Sequence, residues 1–334
     1  MIEQKLKGKK ILFVALPGYS NGMKKKMEDM GAEVVYINDK PKDTFLGKAL
    51  GRLGFGFYQQ IINKYYEVEL SKIRHQSFDY ILVIRGEYTP KESLERMRLY
   101  FPNSKIILYM WDSLINNKFI REKWEYYDKV YTFDRIDYLN FKETISFLPL
   151  FYYEDFLPKS TKTTDYKYDL AFIGTGHEDR IQIVKSLIQQ LNNYQRKSFS
   201  YFFIPHKLVY YINKFRNPSF KNVKTKDVEF EQLPFETLYE IYSQAKCVVD
   251  IESSRQNGLT MRTIEMIGLE KKLITTNKDI INYDFFNSNN IMILDRKNPI
   301  IDLEFLDKPY IPLDEKIRNK YSLHDWILNV LDII

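Results

Sequence analysis

Cysteine, glycine and proline are all scarce in this 334-residue chain, and long apolar runs are missing. The single cysteine, Cys247, excludes a disulfide framework and a cysteine-based zinc site. The 13 glycines and 12 prolines are too few for a fibrous or low-complexity protein. No run approaches the ~18 apolar residues of a membrane-spanning helix, and the charged N-terminus leads into a short strand rather than a signal peptide. We therefore expect a cytoplasmic globular protein.

The rest of the composition is that of a globular protein with a mild attraction for anions. Hydrophobic residues make up 44% of the chain, charged residues 28% and aromatic residues 16%. The formal net charge is +6 and the pI is about 8.9, which suits nucleotide phosphates or an anionic membrane surface. Because the chain has no arginine-rich tract and no zinc-finger spacing, nucleic acid is not expected as a partner.

Short apolar runs alternate with longer amphipathic stretches along the chain, a pattern typical of βα units around parallel sheets. The chain is also longer than one hydrophobic core usually supports. We therefore predict an α/β protein with two Rossmann-like domains, whose ligands bind beyond the carboxyl ends of the strands. The predicted boundaries are an N-terminal domain at 1–150, a linker at 151–168, a C-terminal domain at 169–313, and a terminal helix at 314–334 that has the option of crossing back to the N-terminal domain.

The apolar periodicity places the individual elements. In the first half it predicts strands at 10–16, 33–37, 78–84, 105–110, 129–133 and 145–148, with helices at 21–30, 90–100 and 116–127 and a short one from 134. In the second half it predicts strands at 169–173, 199–204, 247–251, 272–275 and 291–294, with helices at 179–191, 235–245 and 260–269.

The segment 250–277 carries the clearest chemical signal. A strand ends near its start, a polar loop follows, and a helix begins near Thr260. Such a helix start offers free main-chain N–H groups to a phosphate, and Gly258 permits close approach. Arg262 adds a cation for a diphosphate, and Glu265, about one turn later, is placed to accept hydrogen bonds from a ribose diol. The segment therefore predicts a nucleotide site.

A structural interpretation of the same segment remains open at this point. Asn257 or Thr260 would then merely cap the helix. Arg262 and Glu265 would form an ordinary surface pair three positions apart.

The segment also resembles the donor-site signature of bacterial GT-B glycosyltransferases, especially the spore-maturation-like and the lipopolysaccharide or capsule biosynthesis members. The residues that carry the likeness are Gln256, Asn257, Gly258, Leu259, Thr260, Met261, Arg262, Glu265, Gly268 and 272–277. In many of these enzymes the helix carries two acidic residues eight positions apart, the second of which binds the ribose. Glu265 matches the second position, whereas the first falls on Asn257, which is not acidic. The resemblance thus implies a ribose contact and no carboxylate contact to the transferred sugar from this loop.

The resemblance extends to the first βα turn of the second half and, less specifically, to the first half. In the turn, the resemblance rests on Phe172, Ile173, Gly174, Thr175, Gly176 and Arg180. In the first half it rests on Tyr109, Trp111, Asp112, Ser113, Phe133, Asp134 and Asp137. The N–H groups of the Gly174–Gly176 loop are expected to help hold the diphosphate, although any tight βα turn favours glycine. The resemblance implies the GT-B fold, in which two Rossmann-like domains face each other across a cleft.

Three predicted strand ends in the first half offer side chains for the acceptor. They are Gly18 and Tyr19 after the first strand, Arg85 and Glu87 after the third, and Trp111 and Asp112 after the fourth. Gly18, Tyr19, Arg85 and Trp111 are predicted to bind the acceptor. Inverting sugar transfer needs a base for the acceptor hydroxyl, and Asp112 or Glu87 is the candidate. Asp112 has the alternative role of capping the helix that follows.

A long insertion at 41–76 combines apolar residues with Lys48, Arg52 and Lys64. The mixed spacing fits either a helix lying on an anionic membrane or an ordinary packed helix pair.

Together these features predict a glycosyltransferase that moves a sugar from a nucleotide diphosphate sugar to a surface-glycan acceptor, which is a lipopolysaccharide, a capsule or a glycolipid. No cofactor is expected besides the donor substrate. No Asp-x-Asp motif follows a strand, so we expect no metal, and helix dipoles with cationic side chains neutralise the leaving diphosphate instead. Two alternatives are a noncatalytic nucleotide-sugar-binding scaffold and a nucleotide-sugar 2-epimerase, which would need several carboxylates and histidines around one sugar.

Overall fold

Parallel strands form two separate sheets in this computed structural model. The structure describes residues 4–41, 55–158, 165–254 and 256–333. The chain divides into an N-terminal unit, Met1–Pro149 with Leu323–Ile334, and a C-terminal unit, Leu150–Ser322. Each unit holds its own sheet and its own buried apolar core, which confirms the predicted α/β class.

The N-terminal sheet is built from parallel strands. They are β1 (Lys10–Ala15), β2 (Glu33–Asn38), β3 (Tyr80–Ile84), β4 (Lys105–Met110), β5 (Lys129–Thr132) and β6 (Ser146–Phe147). Their order is β2-β1-β3-β4-β5-β6. The central strands are nearly continuous apolar runs, because a parallel sheet is covered on both faces. Such runs explain why every strand of this unit was predictable.

Before residue 150, the described α-helices are α1 (Tyr19–Asp29), α2 (Phe55–Ile73), α3 (Lys91–Tyr100) and α4 (Arg135–Phe141). The predicted helix at 116–127 is a 3-10 helix, Lys118–Tyr126. Burial of Ile120 and Trp124 holds this segment in place. Lys123 adds hydrogen bonds to a neighbouring loop, so packing and side-chain contacts fix a segment that lacks regular α-helical hydrogen bonding.

Helix α2 forms much of the described part of the insertion at 41–76. Its residues Ile62, Tyr66, Leu70 and Ile73 belong to the core of the N-terminal unit, which supports the packed interpretation for this part. Residues 42–54, with Lys48 and Arg52, lie outside the described residues, so the membrane interpretation stays a prediction there. Among the helices that the structure describes, none is long and apolar enough to cross a membrane.

The C-terminal unit repeats the βα pattern. Its strands are β7 (Tyr168–Thr175), β8 (Ser198–Phe203), β9 (Ala245–Asp250), β10 (Lys272–Thr275) and β11 (Ile291–Ile293), in the order β11-β10-β9-β7-β8. Its α-helices are α5 (Arg180–Asn192), α6 (Lys207–Arg216), α7 (Phe235–Ser243), α8 (Met261–Gly268), α9 (Leu303–Asp307) and α10 (Glu315–Asn319). Strand ends lie within two residues of their predicted positions, whereas α6 was not predicted.

The described parts of the predicted linker at 151–168 belong to the C-terminal unit. The aromatic ring of Phe156 is fully buried and meets Phe235 edge-on at 5.1 Å. The Tyr152 ring packs so closely on Gly268 that a Cβ there would lie 2.6 Å from it. These buried aromatic side chains bind the segment to its unit, so the boundary lies at Leu150.

The predicted terminal helix at 314–334 is interrupted. Helix α10 ends at Asn319, and α11 spans Leu323–Leu331. The break occurs because the Tyr321 carbonyl accepts a hydrogen bond from the Tyr152 N–H at 2.7 Å, which removes it from helical pairing. Helix α11 belongs to the N-terminal unit, where the Trp326 ring lies 4.7 Å from the ring of Tyr109.

Candidate functional site

Asp250 ends strand β9 at the carboxyl edge of the C-terminal sheet and is almost fully buried. Its carboxylate accepts hydrogen bonds from the hydroxyls of Thr260, at 2.5 Å, and Thr263, at 2.7 Å. Thr260 also caps α8, because its Oγ1 accepts the Thr263 N–H. The side chain of Thr260 is therefore engaged within the protein, as the structural interpretation predicted. Sequence reasoning missed the role of Asp250, although an acid directly after a buried strand is a usable signal.

Arg262 is held by internal partners, and its predicted charge-assisted contact with a diphosphate stays a prediction. Its Nη1 lies 2.8 Å from the Asp250 carboxylate. Nε donates to the Tyr242 hydroxyl at 3.0 Å and Nη2 to the Ile173 carbonyl at 2.5 Å. The guanidinium also lies over the Phe172 ring, 5.2 Å from its centroid. All three nitrogens thus have acceptors, and Arg262 joins α8 to β7 and β9.

The glycines of the first βα turn have structural reasons of their own. A Cβ at Gly174 would lie 2.6 Å from Nη2 of Arg262, and one at Gly176 would lie 2.9 Å from Cδ1 of Ile181. The Gly176 N–H donates to the Phe203 carbonyl at 2.8 Å. That N–H is engaged within the sheet, and the predicted contact of this loop with a diphosphate stays a prediction.

Arg180, the first residue of α5, is a buried cation without an ion-pair partner among the described residues, although the charges of Asp250 and Glu178 act on it from a distance. It is 9% exposed. Its Nη1 donates to the Thr175 carbonyl at 3.3 Å, while Nε has no hydrogen-bond partner among the described residues. Burial, and then the charge of Arg262, lower the pKa of Arg180 to about 10. Since a buried charge is costly unless it is paired, an anion would compensate this guanidinium.

Glu265 is a buried carboxylate in the middle of α8, only 5% exposed. Within the described residues, no group donates a hydrogen bond to it. Burial raises its pKa to about 7, although Arg262 opposes this rise. The surface-pair interpretation of Arg262 and Glu265 is therefore wrong, because Glu265 is inside. The N–H groups of Met261 and Arg262 at the start of α8 also have no acceptor in the described part of the chain.

The other predicted donor residues lie on the loop between β9 and α8. The Asn257 carbonyl accepts from Asn277 Nδ2 at 2.8 Å, and the Gly258 carbonyl accepts from Gln256 Nε2 at 3.2 Å. Leu259 is buried. The loop is thus held by its own contacts.

Arg296, just after β11, organises a second cluster of charges that sequence reasoning missed. It makes two hydrogen bonds to Asp179, at 2.9 and 2.7 Å. It also lies 3.3 Å from Glu178 and 3.2 Å from Glu252. These contacts tie the turn after β7 to the segment after β9. The partners are distant in sequence, so no local spacing predicts the cluster.

In the N-terminal unit, three predicted residues meet at the carboxyl ends of β3 and β4. Arg85 Nη2 lies 3.0 Å from the Glu87 carboxylate and 3.1 Å from the Asp112 carboxylate. All three side chains are partly exposed. Asp112 also accepts from Asn116 Nδ2 at 3.2 Å, whereas the 3-10 helix that follows is capped by Asn117 without a side-chain hydrogen bond. The two base candidates therefore share one cation.

The loop that carries Arg85 and Glu87 is fixed by hydrogen bonds from the Lys123 side chain. Arg85 and Gly86 both have positive φ, 72° and 62°, a conformation that costs free energy for a residue with a side chain. The Lys123 ammonium donates to the carbonyls of Gly86, Glu87 and Thr89 at 2.8 to 3.1 Å. These hydrogen bonds hold the loop in its strained conformation.

The remaining predicted acceptor residues lie at neighbouring strand ends. Gly18 has φ 111° and is the N-cap residue of α1, and Tyr19 is the first residue of that helix. Trp111 directly follows β4, with its ring 6.0 Å from the ring of Tyr109. No group of three or more His, Cys, Asp or Glu residues in the described part of the chain is arranged to hold a metal ion.

The sequence matches no protein-family model and no curated protein. Among solved structures, the Anabaena protein HepE in complex with UDP and glucose has a TM-score of 0.60 at 10% identity, over 98% of this chain and 100% of that chain. The lipopolysaccharide outer core galactosyltransferase WaaB gives 0.52 at 11%, over 97% and 99%. UDP-GlcNAc 2-epimerase from Neisseria meningitidis gives 0.55 at 11%, over 97% and 98%. At such identities the likeness shows the fold alone, and it confirms the predicted GT-B fold with two Rossmann-like domains.

Proposed function

We propose that this chain is a nucleotide-sugar glycosyltransferase whose C-terminal unit binds the donor. One observation carries the proposal: among the described residues, the buried Arg180 guanidinium has no ion-pair partner and the buried Glu265 carboxylate accepts no hydrogen bond, and both belong to the same sheet edge. Both lie close enough to the Arg262–Asp250 ion pair to be affected by its charges. A nucleoside diphosphate offers what each lacks, since it combines an anion with a diol.

The roles of the donor residues follow from these contacts. Arg180 binds the diphosphate through charge-assisted hydrogen bonds. The N–H groups of Met261 and Arg262 add the positive end of a helix. Glu265 accepts hydrogen bonds from the ribose hydroxyls. Arg262 supports the site through its ion pair with Asp250, and its remaining N–H groups add to the binding of the diphosphate.

The loop residues complete the donor site in this proposal. Thr175, Asn257 and Gly258 lie at the strand ends around these groups. They bind the donor mainly through main-chain atoms. The HepE structures with UDP-glucose and with UDP and glucose support a UDP sugar as the donor class.

The N-terminal unit activates the acceptor. Asp112 or Glu87 accepts the proton of the acceptor hydroxyl while that oxygen attacks the anomeric carbon, and the nucleoside diphosphate leaves with the bonding electrons. Because Arg85 pairs with both carboxylates, an acceptor must displace one of them from the guanidinium. Arg180 and the start of α8 stabilise the leaving diphosphate, so the proposed reaction needs no metal.

A surface glycan, either part of a lipopolysaccharide or capsule or linked to a lipid, is the proposed acceptor class, with the protein in the cytoplasm on the inner face of the membrane. The fold of the galactosyltransferase WaaB supports this assignment, as does the net charge of +6. A spore-maturation-like relationship rests on the sequence motif alone.

Incubation of the purified protein with UDP-glucose, UDP-galactose and UDP-GlcNAc tests the proposal. Slow release of UDP with free sugar, or transfer to an added glycan, is expected. An epimerised sugar would instead identify an epimerase, and binding without turnover would identify a scaffold. Asp112→Asn and Glu87→Gln should each be compared with the parent: one of them should abolish transfer while leaving UDP affinity nearly unchanged. Full activity in both would remove the base assignment.

A further inference from the structure

Helix α6, Lys207–Arg216, exposes a continuous apolar stripe. Its members are Leu208 (61% exposed), Tyr211 (61%), Ile212 (43%) and Phe215 (92%). Their spacing of three, four and seven positions places them on one face of the helix. Tyr211, Ile212 and Phe215, with Arg216, also line a shallow pocket of about 340 Å³. Contiguous exposed apolar surface of this kind is typical of an interaction site.

The stripe cannot turn inward, because the opposite face of α6 is anchored. Tyr210 is buried in the core of the C-terminal unit with Phe220 and Val223. Its hydroxyl donates to the Val223 carbonyl at 2.8 Å. Lys214 donates to the same carbonyl at 3.1 Å. The helix therefore presents its apolar face to the outside as a fixed surface.

The chain segment that carries the stripe has lysine and arginine but no aspartate or glutamate. Between residues 205 and 226 the chain has six basic residues and no acidic one: Lys207, Lys214, Arg216, Lys221, Lys224 and Lys226. All six are exposed. On the helix, Lys207 and Lys214 lie on one side of the stripe and Arg216 on the other, since successive residues are rotated by about 100°. An apolar face with basic borders is the arrangement of a helix that lies in the surface of an anionic membrane.

We propose that α6 docks this protein onto an anionic lipid surface, with the stripe inserted at the headgroup boundary and the basic residues on the lipid phosphates. A second copy of the chain fits less well, because a symmetric contact through this face would bring identical basic residues together. Nucleic acid would use the charges but leave the apolar stripe without a partner. None of the residues of this surface is a proposed donor residue, and lipid binding does not require that the chain transfers sugar.

Flotation with vesicles of phosphatidylcholine alone and of phosphatidylcholine with phosphatidylglycerol tests the proposal. The parent should float with the anionic vesicles and much less with the neutral ones, and added salt should weaken binding. Phe215→Glu combined with Tyr211→Glu should weaken it at least tenfold, which corresponds to about 1.4 kcal/mol. Lys214→Glu with Arg216→Glu should also weaken it, and most strongly at low salt.

Leu99→Glu is the matched control, because Leu99 is 75% exposed on α3, a helix of the N-terminal unit. It should bind like the parent, and thermal melts should show that all variants are folded. Phe215→Trp provides a direct readout, since an inserted indole should shift its emission to the blue only with anionic vesicles.

Several results would overturn the proposal. One is failure of the parent to bind anionic vesicles. Another is unchanged binding of the Phe215 and Tyr211 variant, above all if Lys48→Glu with Arg52→Glu abolishes binding instead. A third is a dimer in solution without lipid that Phe215→Glu converts to a monomer, because the stripe would then be a self-association surface.

Discussion

The carboxyl ends of the two sheets carry similar residue types in opposite states. In the N-terminal unit, Arg85 is partly exposed and forms ion pairs with two partly exposed carboxylates, Glu87 and Asp112. In the C-terminal unit, Asp250 is buried and satisfied by Arg262 and two threonines. In the same unit, Arg180 has no ion-pair partner and Glu265 accepts no hydrogen bond within the part of the chain that the structure describes.

The buried groups of the C-terminal unit form a preorganised site, whereas the exposed groups of the N-terminal unit form a site that can rearrange. Exposed ion pairs are weak and exchange partners readily. This suits a carboxylate that must leave its cation before it accepts a proton. Buried charged groups are held rigidly. Those without partners are costly, and a ligand of complementary chemistry stabilises them when it binds. This contrast supports placing the donor in the C-terminal unit and the acceptor chemistry in the N-terminal unit.

The largest expected effect concerns the buried ion pair. Arg262→Ala leaves the buried Asp250 carboxylate without its cation, and breaking such a pair costs about 3 to 5 kcal/mol. The free energy of unfolding should fall by that amount in urea denaturation. A loss below about 1 kcal/mol would show that the pair is no more important than an exposed one.

The next effect concerns Glu265 and depends on pH. Its pKa in the folded protein, about 7, lies above its ordinary 4.5, so the folded state binds a proton that the unfolded state loses between these values. The cost of the buried charge is therefore absent below about pH 4.5 and complete above about pH 7. Glu265→Gln stays neutral, so its free energy of unfolding relative to the parent should rise from pH 5 to pH 8, by at most about 3 kcal/mol. Urea denaturation at both pH values measures this difference, and a pH-independent result would contradict it.

The smallest effect is expected in the N-terminal unit. Arg85→Ala keeps a non-glycine residue at φ 72° and removes only half-exposed ion pairs, which are worth about 0 to 1 kcal/mol. The same denaturation experiment should show a loss in that range. A loss like that of Arg262→Ala would erase the contrast between the two edges.

The sequence was sufficient for the fold because buried parallel strands are continuous apolar runs. The sequence analysis did not predict α6. The apolar stripe of this helix faces outward, so it does not follow from packing on a core. In the proposed donor site, the periodicity correctly predicted Arg180 near the start of one helix and Glu265 on another. It could not show that Arg262 is satisfied, because Asp250, Tyr242 and Ile173 reach it only through folding.

The same limit applies to Arg296. Its carboxylate partners Asp179 and Glu252 lie more than forty positions away. Residue spacing predicts which side chains share one face or one end of a single helix or strand. Pairing between strand ends depends on sheet order, and only the structure provides it.

Titration calorimetry with UDP tests the central claim most directly, using the parent, Arg180→Met, Glu265→Gln and, as a control outside the site, Arg216→Met. Removing an unpaired buried cation should leave the fold at least as stable, while the loss of charge-assisted hydrogen bonds should weaken UDP binding about tenfold or more. Glu265→Gln should cause a smaller loss that disappears when 2',3'-dideoxy UDP is the ligand, and Arg216→Met should bind like the parent. If Arg180→Met and Glu265→Gln remain folded and bind UDP as the parent does, the C-terminal sheet edge is not the donor site.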